Sequence, residues 1–498
     1  MVLSLLVACG GKSSGRVLPR YTSPEIPNSS WVSGVYLPSS YFANRCIDPR
    51  SNNKYQDLLG TYVDENNWLR SWSQETYLWY NELPDIDPAT IFNPIDYFNK
   101  MKTSATTSSG RDKDRFHYTE NTEEYNQYAE TGVSAGYGFT LSLIRNTPPR
   151  KAIIIYSEPN SPAANTNITR GAEVISVDGA AMVDGNPDIL NAGLMPSTIG
   201  ESHTFVIRDL NATSTRTVVL QSTETVTVPV HTTKLINQPN TKIGYLALNT
   251  FFVGTAEKQV IDTINHFKTN QINELVLDLR YNGGGHLVLS ADLGTMIAGN
   301  TALGSIYAEL ALNDKLSSDN VTFRFTSTSS ADLSVAEGTV LPKLNLPRVY
   351  ILSSNDTASA SEYLINGLRG VGVEVILIGT TTTGKPYGWL PTENCGKTYS
   401  TIQFKGQNSK GFGNFTDGFI PSAVDNGTDR VRGCLVYDDL THPLGDVNEN
   451  MLATALFFMD NNECPVSAHN SNSKPSHPLS TVRGEVIRRF PATELLLQ

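Results

Sequence analysis

Three short apolar runs in the second half of the chain constrain its fold more than any other feature. They cover residues 275–279, 349–353 and 375–378, in which Asp278 and Ser353 are the polar exceptions. A turn rich in glycine, serine or threonine follows each run, and apolar residues at helical spacing stand between the last two, at Tyr363, Leu364 and Leu368. Apolar runs that alternate with helices are typical of strands buried on both faces of a parallel sheet. We therefore predict an α/β core of βαβ units over about residues 226–465.

Two of the turns carry residues that together suit hydrolysis of a peptide bond. Ser359 stands where the second strand turns into a helix, so its hydroxyl is presented outward beside helix N–H groups that lack intrahelical partners. Such N–H groups are able to bind a developing oxyanion. A serine hydroxyl needs a neighbouring base, and a lysine is a base near neutral pH only if burial lowers its pKa. Lys385, on the loop after the third strand, is the candidate base.

The motifs around these residues resemble those of one family. The segments are N-D-T-A-S-A-S-E at 355–362, G-T-T-T-T-G-K at 379–385 and L-V-L-D-L-R-Y-N-G-G-G at 275–285. They are similar to the motifs of the C-terminal processing peptidases, also called tail-specific proteases, over about residues 132–459. The resemblance implies a serine endopeptidase with Ser359 as nucleophile, Lys385 as base, and the N–H groups of Gly284 and Ala360 as the oxyanion hole.

The resemblance leaves the third catalytic residue open. The family often has a glutamine one helical turn after the lysine, and that position is Trp389 here. Gln403, on the next strand-like stretch, is the candidate substitute. The resemblance implies no cofactor, and no group of His and Cys has zinc spacing, so we predict no metal.

Other readings of these motifs are weaker. Residues 379–385 spell G-x-x-x-x-G-K after a strand, but Pro386 follows where a phosphate-binding loop needs Ser or Thr and a helix. The G-x-S-x-G match at 11–15 lacks a preceding strand, and we interpret it as chance. His286 lies beside the glycine turn without a partner carboxylate suggested by spacing, so we interpret it as a residue at the edge of the site.

Between about residues 132 and 225 the pattern changes to short strands, and this region resembles the PDZ domain inserted in these peptidases. In PDZ domains the C-terminus of a peptide adds as a strand, and backbone N–H groups of a Gly-Phe loop hold its carboxylate. The resemblance implies that Gly138 and Phe139 bind peptide. A PDZ-like domain retained only for structure is the alternative.

The N-terminal part, residues 30–131, has a helical pattern. Trp68, Leu69, Trp72, Leu78 and Trp79 fall in one segment that prolines end, and a second short helix is predicted from the Asn93-Pro94 cap through Met101. Residues 103–114 are a polar loop. The whole is therefore predicted as a multidomain α+β protein with an N-terminal helical unit, a PDZ-like β domain and an α/β peptidase core.

The two chain ends give further predictions. Residues 1–8 are apolar and lead into L-V-A-C-G, which resembles a bacterial lipoprotein signal with Cys9 as the lipidated residue. Residues 1–29 are then signal and tether, which implies a lipid anchor in the bacterial cell envelope. Residues 466–498 are predicted to be a loose tail. A net charge of −11 without a basic run argues against nucleic acid as a partner.

Four cysteines remain in a chain that resembles an exported protein, so disulfides are expected. Three pairings of Cys46, Cys395, Cys434 and Cys464 are possible. We favour Cys395–Cys434, because both flank the segment after the lysine motif, which leaves Cys46–Cys464.

Three functions are compatible with these observations. The favoured one is a serine endopeptidase that recognises protein or peptide substrates by their C-termini. The second is a non-catalytic ligand- or peptide-binding protein on the same fold. The third is a scaffold that acts through the PDZ-like domain alone. The presence of Ser359, Lys385 and the glycine turn favours the enzyme, and the sequence leaves the oligomeric state open.

Overall fold

The structure is a computed structural model that describes residues 31–52, 54–330, 332–466 and 485–487. The predictions for Cys9, for the lipoprotein signal and for the G-x-S-x-G match lie outside these residues. The described residues fall into two compact units. The first comprises those of Met1–Thr122, Ala311–Asn320 and Gly388–Lys405, and the second those of Glu123–Leu310, Val321–Tyr387 and Gly406–Gln498.

The helices are named in chain order. They are α1 (Tyr62–Thr76), α2 (Pro94–Lys100), α3 (Thr122–Thr131), α4 (Pro162–Asn165), α5 (Pro187–Leu194), α6 (Ala256–Thr269), α7 (Leu287–Ala298), α8 (Ala360–Gly370) and α9 (Asn450–Asn461). In the part of the chain that the structure describes, no helix has the length and apolar character needed to cross a membrane.

The strands are named in the same way. They are β1 (Arg45–Cys46), β2 (Leu58–Leu59), β3 (Tyr118–Asn121), β4 (Val133–Gly136), β5 (Phe139–Arg145), β6 (Lys151–Ser157), β7 (Glu173–Val177), β8 (Ala180–Ala181), β9 (Ser202–Arg208), β10 (Arg216–Gln221), β11 (Thr223–Val226), β12 (Val230–Gln238), β13 (Thr241–Leu248), β14 (Glu274–Asp278), β15 (Ile306–Leu312), β16 (Val321–Arg324), β17 (Arg348–Ser353), β18 (Glu374–Gly379), β19 (Tyr387–Gly388), β20 (Thr392–Asn394), β21 (Lys397–Ser400), β22 (Phe404–Gln407), β23 (Ile420–Ser422), β24 (Arg430–Leu435) and β25 (Glu485–Ile487).

In the first unit the aromatic stripe of α1 forms a core, as predicted. Trp68 and Trp72 stack at 5.1 Å between ring centroids and pack against α2 and Tyr399. The prediction that this helix continues to Trp79 is wrong, because Tyr77 leaves the helical conformation. Its buried hydroxyl donates to Asp114 at 2.6 Å, a tertiary bond that extension of the helix would break.

The second predicted helix is confirmed as α2. Asn93 caps it by accepting a hydrogen bond from the Ile95 N–H at 2.9 Å, and Pro94 occupies its first turn. Residues 103–114 form neither helix nor strand, apart from a β-bridge between Thr106 and Asp112.

Residues 132–225, which we call the β domain, form mainly antiparallel strands. Their principal sheet has the order β10-β9-β7-β6-β5-β25, and β11 pairs with β4. A buried apolar cluster that includes Leu141, Ile154, Leu190 and Phe205 forms its core. The short strands predicted for this region are present, among them β5, β6 and β7.

The core of the second unit is a sheet with the order β12-β13-β14-β17-β18-β24-β23. Strands β13, β14, β17, β18 and β24 run parallel, and α6, α7 and α8 connect the first four. Every residue of β14 is buried, including Glu274 and Asp278 at its ends, which explains the apolar run at residues 275–277. The predicted multidomain α+β fold with an α/β core is therefore confirmed.

The predicted disulfide pairing is wrong. The bonds are Cys46–Cys395 and Cys434–Cys464. Cys395 lies in the turn between β20 and β21, which belongs to the first unit together with Cys46. Cys434 lies on β24, and Cys464 lies three residues after the end of α9; both belong to the second unit. Residues that are close in sequence after the lysine motif thus belong to different compact units.

The tail contains one described strand. Glu485–Ile487 forms β25, antiparallel to β5, with Glu485 opposite Leu143 and Ile487 opposite Leu141. The prediction of a loose tail is therefore wrong over these three residues. The physical reason is that the edge of β5 offers N–H and C=O groups to any extended segment that reaches it.

Candidate active site

The three predicted catalytic motifs lie at one edge of the core sheet. Neighbouring strands are in register, since Leu277 of β14 lies opposite Ile351 of β17, which lies opposite Leu377 of β18. The carboxyl ends of parallel strands meet at the same sheet edge, which is where α/β proteins place their functional loops. The glycine turn (residues 282–285), the serine turn (354–359) and the lysine loop (380–386) follow these three ends.

Ser359 has an unusual backbone conformation. Its φ is +54° and its ψ is −117°, directly before the first residue of α8. A residue other than glycine with positive φ is uncommon, and such strain is concentrated at functional sites. A sharp strand–turn–helix junction of this kind exposes a nucleophilic side chain above the sheet.

One buried carboxylate joins the serine turn to the lysine loop. Glu362 Oε2 accepts the main-chain N–H groups of Ser359 at 3.0 Å and of Lys385 at 2.8 Å. Its Oε1 accepts the N–H of Gly384 at 2.7 Å and the hydroxyl of Thr382 at 2.5 Å. We call this set of four bonds the Glu362 clamp. Because both share one acceptor atom, the main-chain nitrogens of Ser359 and Lys385 lie no farther apart than about twice a hydrogen-bond length.

The charge of Glu362 is balanced by its donors. Burial raises the pKa of this carboxyl, and the bonds from Thr382, Lys385, Gly384 and Ser359 oppose that rise. Our sequence reasoning assigned Glu362 no role. The available signal was its position three residues after Ser359, the spacing at which a carboxylate bonds back to the N–H of a helix N-cap.

The lysine loop is held by further bonds. The Thr383 N–H donates to Thr357 O at 3.0 Å, and the Tyr363 hydroxyl donates to Pro386 O at 2.9 Å. Lys385 itself is 8% exposed. The loop therefore places a buried lysine beside the start of α8. Strand β19 follows it rather than a helix, which supports our rejection of a phosphate-binding loop.

The glycine turn packs against the nucleophile. A Cβ placed on Gly284 would lie 2.7 Å from Ser359 Cβ and 3.0 Å from Ala360 N, and its φ is +105°. Only glycine fits this close approach. The Gly284 N–H donates to Asn282 Oδ1 at 2.9 Å, so an oxyanion role requires that this bond be shared or released. The Ala360 N–H belongs to the first residue of α8, where N–H groups lack intrahelical acceptors.

A buried ion network lies beneath the glycine turn and was missed by our sequence reasoning. The Arg280 guanidinium contacts Asp278, Asp438 and Glu449, each at 2.8 Å. The main-chain carbonyl oxygen of Arg280 accepts a hydrogen bond from Ser354 Oγ. Arg280 therefore supports both the glycine turn, which follows it in the chain, and the serine turn. Although burial opposes the effect, the nearby arginines hold the pKa of Asp438 below its usual value. Such a network is invisible in sequence, because its members lie up to 171 positions apart (278 and 449).

Two other residues singled out from the sequence, His286 and Gln403, pack against or bond to neighbouring residues. His286 precedes α7, and its ring stacks on Phe252 at 5.7 Å; burial lowers its pKa. In the first unit, buried Gln403 accepts the Leu390 N–H at 2.8 Å, and Trp389 packs edge-on against Tyr118. A role for Gln403 toward Lys385 stays a prediction.

Within the described ranges, no three His, Cys, Asp or Glu residues are grouped to hold a metal.

The predicted peptide-binding residues stand before β5. Gly138 has φ +73°, and a Cβ on it would lie 2.2 Å from Ser161 Cβ, so this turn requires glycine. Its carbonyl oxygen accepts the Glu158 N–H at 2.6 Å. Phe139 begins β5 and stacks on Tyr137 at 5.6 Å. Peptide binding by Gly138 and Phe139 stays a prediction.

Comparison with protein families identifies two domains. Residues 242–405 match the model of peptidase family S41, and residues 64–118 match the peptidase S41 N-terminal domain. The first match contains Gly284, Ser359, Glu362 and Lys385.

Individual relatives agree with this result. The chain is 26% identical over 261 residues to a carboxyl-terminal-processing protease of Picosynechococcus sp., covering 51% of this chain and 55% of the relative. It is 25% identical over 265 residues to carboxyl-terminal-processing peptidase 2, chloroplastic, of Arabidopsis thaliana, covering 52% and 46% respectively. The chain thus spans about half the length of the curated relatives it matches.

A solved structure shares the fold. A crystal structure from Bacteroides fragilis, of a protein described as an S41 protease, is 24% identical and has a TM-score of 0.61. The similarity covers 83% of this chain and 100% of that one.

Proposed function

The chain carries the peptidase domain and the N-terminal domain of peptidase family S41, and from this premise we propose that it is a serine endopeptidase of the C-terminal processing type. Ser359 is the nucleophile and Lys385 the general base. The observation that carries the proposal is the Glu362 clamp, in which one carboxylate oxygen binds the main-chain N–H groups of both residues.

The first half of the reaction is acylation. The neutral Lys385 amine takes the proton of the Ser359 hydroxyl as Oγ attacks the scissile carbonyl carbon. Burial of the lysine supports this role, since burial favours the neutral form of an amine. The resulting ammonium then gives its proton to the leaving amine as the C–N bond breaks. A water molecule, deprotonated by the same lysine, then attacks the acyl carbon; the bond to Ser359 Oγ breaks, and the lysine returns the proton to Oγ.

The oxyanion that forms needs N–H donors. The Ala360 N–H is one, and the Gly284 N–H is the second once its bond to Asn282 is shared or released. Donors of this kind contribute roughly 3–4 kcal/mol each to transition-state stabilisation in the cases studied.

Substrate choice and location complete the proposal. Substrates are proteins or peptides whose C-termini bind as a strand at Gly138 and Phe139 of the PDZ-like β domain. Cys9 carries a lipid anchor in the bacterial cell envelope. Along the sequence the proposed domains cover residues 30–131, 132–225 and 226–465, and residues 311–320 and 388–405 of the last belong to the first compact unit.

A second candidate rests on one observation. Because the Gly284 N–H already donates to Asn282, the fold also suits a non-catalytic ligand- or peptide-binding protein. Turnover decides between the two.

The test measures cleavage of β-casein, an unstructured protein, by the purified chain. Ser359→Ala and Lys385→Ala are each expected to lower kcat by about 10³-fold or more while the melting temperature is unchanged. Ser409→Ala and Lys405→Ala are the matched controls, because both side chains are exposed. Full activity in either site variant overturns the assignment.

Recognition of C-termini is tested separately. A peptide substrate with a free terminal carboxylate is compared with the same peptide as an amide. The amide is expected to have a higher KM because it lacks the charge that the Gly138 turn would bind. Equal KM values contradict C-terminal recognition.

A further inference from the structure

The outer edge of β5 is covered by a segment of the same chain. The sheet order ends β6-β5-β25, so β5 would be an edge strand without β25. An edge strand presents N–H and C=O groups that pair with any extended chain. In the part of the tail that the structure describes, Glu485–Ile487 covers that edge as β25.

The register gives the direction of this segment. Glu485 lies opposite Leu143 and Ile487 opposite Leu141, so the segment advances toward Phe139 at the start of β5. A peptide whose carboxylate binds the Gly138 turn runs beside β5 in the same antiparallel direction. The segment and such a peptide therefore require the same N–H and C=O groups, and only one of them can be bound.

The pairing is short enough to be exchanged. Strands usually have five or six residues, and the three paired residues that the structure describes form few ladder bonds. The β-branched residues Val486 and Ile487 favour an extended conformation. Only 18 residues separate Val466 from Glu485, so the contact is made within one chain. A contact within one chain is favoured over the same contact with a free peptide.

We propose that Glu485–Ile487 is a displaceable ligand strand that occupies the peptide-binding edge of the β domain until a substrate peptide replaces it. The inference rests on the proposed function for the identity of the competing ligand. It adds that the chain controls access to its own peptide site.

The main test weakens the tail strand in the full chain. Hydrogen-bonded and non-bonded pairs alternate along an antiparallel ladder, so the double substitution Val486→Pro/Ile487→Pro removes a ladder N–H whichever pairs are bonded. Ser473→Pro is the matched control, because it adds a proline to the tail outside β25.

Binding is measured in the Ser359→Ala background, so that turnover plays no part. The probe is a fluorescent peptide with the sequence of residues 483–489. Relative to the Ser473→Pro control, the double-proline variant is expected to bind it with a Kd about 3- to 30-fold lower, because the competent, open edge is populated more of the time. When Ser359 is retained, the double-proline variant is expected to have a KM for β-casein lower than that of the Ser473→Pro control by a similar factor, with kcat unchanged.

A second pair of variants tests the register directly. Ser142 and Val486 lie opposite one another, so Ser142→Cys/Val486→Cys is expected to form a disulfide on mild oxidation and to lower affinity for the probe. Ser142→Cys/Ser473→Cys is the control. Equal Kd in the proline variant and its control, together with no disulfide, overturns the inference.

Failure of the inference and of the proposed function are distinguishable. If no variant cleaves β-casein but the double-proline variant binds the probe more tightly, the proposed protease activity fails and the displaceable strand stands. If cleavage requires Ser359 but Kd and KM do not respond to the tail variants, the protease stands and the inference is overturned.

Discussion

Replacement of Glu362 by glutamine tests how much the clamp contributes to the site. The carboxylate receives four hydrogen bonds, two on each oxygen. In Glu362→Gln one oxygen becomes an NH₂ group. This group faces two hydrogen-bond donors and cannot accept a bond from either. Each buried donor left unpaired costs about 1–3 kcal/mol. Removal of a buried charge offsets part of this cost, so we expect a net loss of about 2 kcal/mol or more in the free energy of unfolding.

The Glu362→Gln substitution should also slow catalysis, because it disturbs the positions of the catalytic residues. The clamp fixes Ser359 and Lys385 relative to one another, and a displacement of about 1 Å in a reacting group costs about 10²-fold in rate. We therefore expect kcat for β-casein to fall by about 10²-fold in Glu362→Gln. Stability is measured by urea unfolding, and kcat under saturating substrate.

The matched control is Glu257→Gln. Glu257 is 1% exposed and accepts hydrogen bonds from Ser329, Ser334 and Val335 at 2.6, 2.8 and 2.9 Å. It should lose comparable stability but keep kcat within about threefold, because the catalytic loops do not depend on it. If Glu362→Gln also keeps kcat within threefold, the clamp does not position the catalytic residues.

Three further outcomes follow from the structure. Gly284→Ala should lower kcat by about 10²–10³-fold through displacement of an oxyanion donor, whereas Gly304→Ala, with φ +79° and no atom within 4 Å, should not; equal kcat values would contradict this. Burial raises the pKa of Asp292 from 3.8 to about 7, so the folded state retains a proton that the unfolded state releases; its contribution to the free energy of unfolding should therefore fall by about 4 kcal/mol as the pH rises from about 4 to about 7. Urea titrations at both pH values should show Asp292→Asn without this slope, and an unchanged slope would refute the assignment. Cys46→Ser should lower the guanidinium-unfolding free energy by about 2–5 kcal/mol, and an unchanged midpoint would show that its disulfide adds nothing.

The parts of the fold that local patterns determine were predictable. The apolar runs before Ser359 and Lys385 identified strands buried on both faces, and parallel strands necessarily bring their carboxyl ends to one sheet edge. The Asn93-Pro94 cap fixed the start of α2 for the same local reason.

The parts that depend on distant contacts were not predictable. Helix α1 ends where the Tyr77 hydroxyl donates a hydrogen bond to Asp114, 37 positions away. No local sequence signal marks that end. The disulfide pairing depends on Cys395 belonging to the first unit, which the chain reaches only after passing through the second. The Glu362 clamp joins a helix N-cap to a loop more than twenty residues later, although half of it has a recognisable local spacing.

The discontinuous first unit has a consequence for biosynthesis. Its described parts come from residues as early as 31 and as late as 405, and its disulfide joins cysteines 349 positions apart. A nascent chain usually completes its domains in the order in which they are translated. Here the earliest portion stays incomplete until residues 388–405 have been synthesised and Cys395 is available to pair with Cys46. A truncated translation product would therefore carry a first portion that can neither finish folding nor form its cross-link, which makes such a product a ready target for quality-control proteolysis.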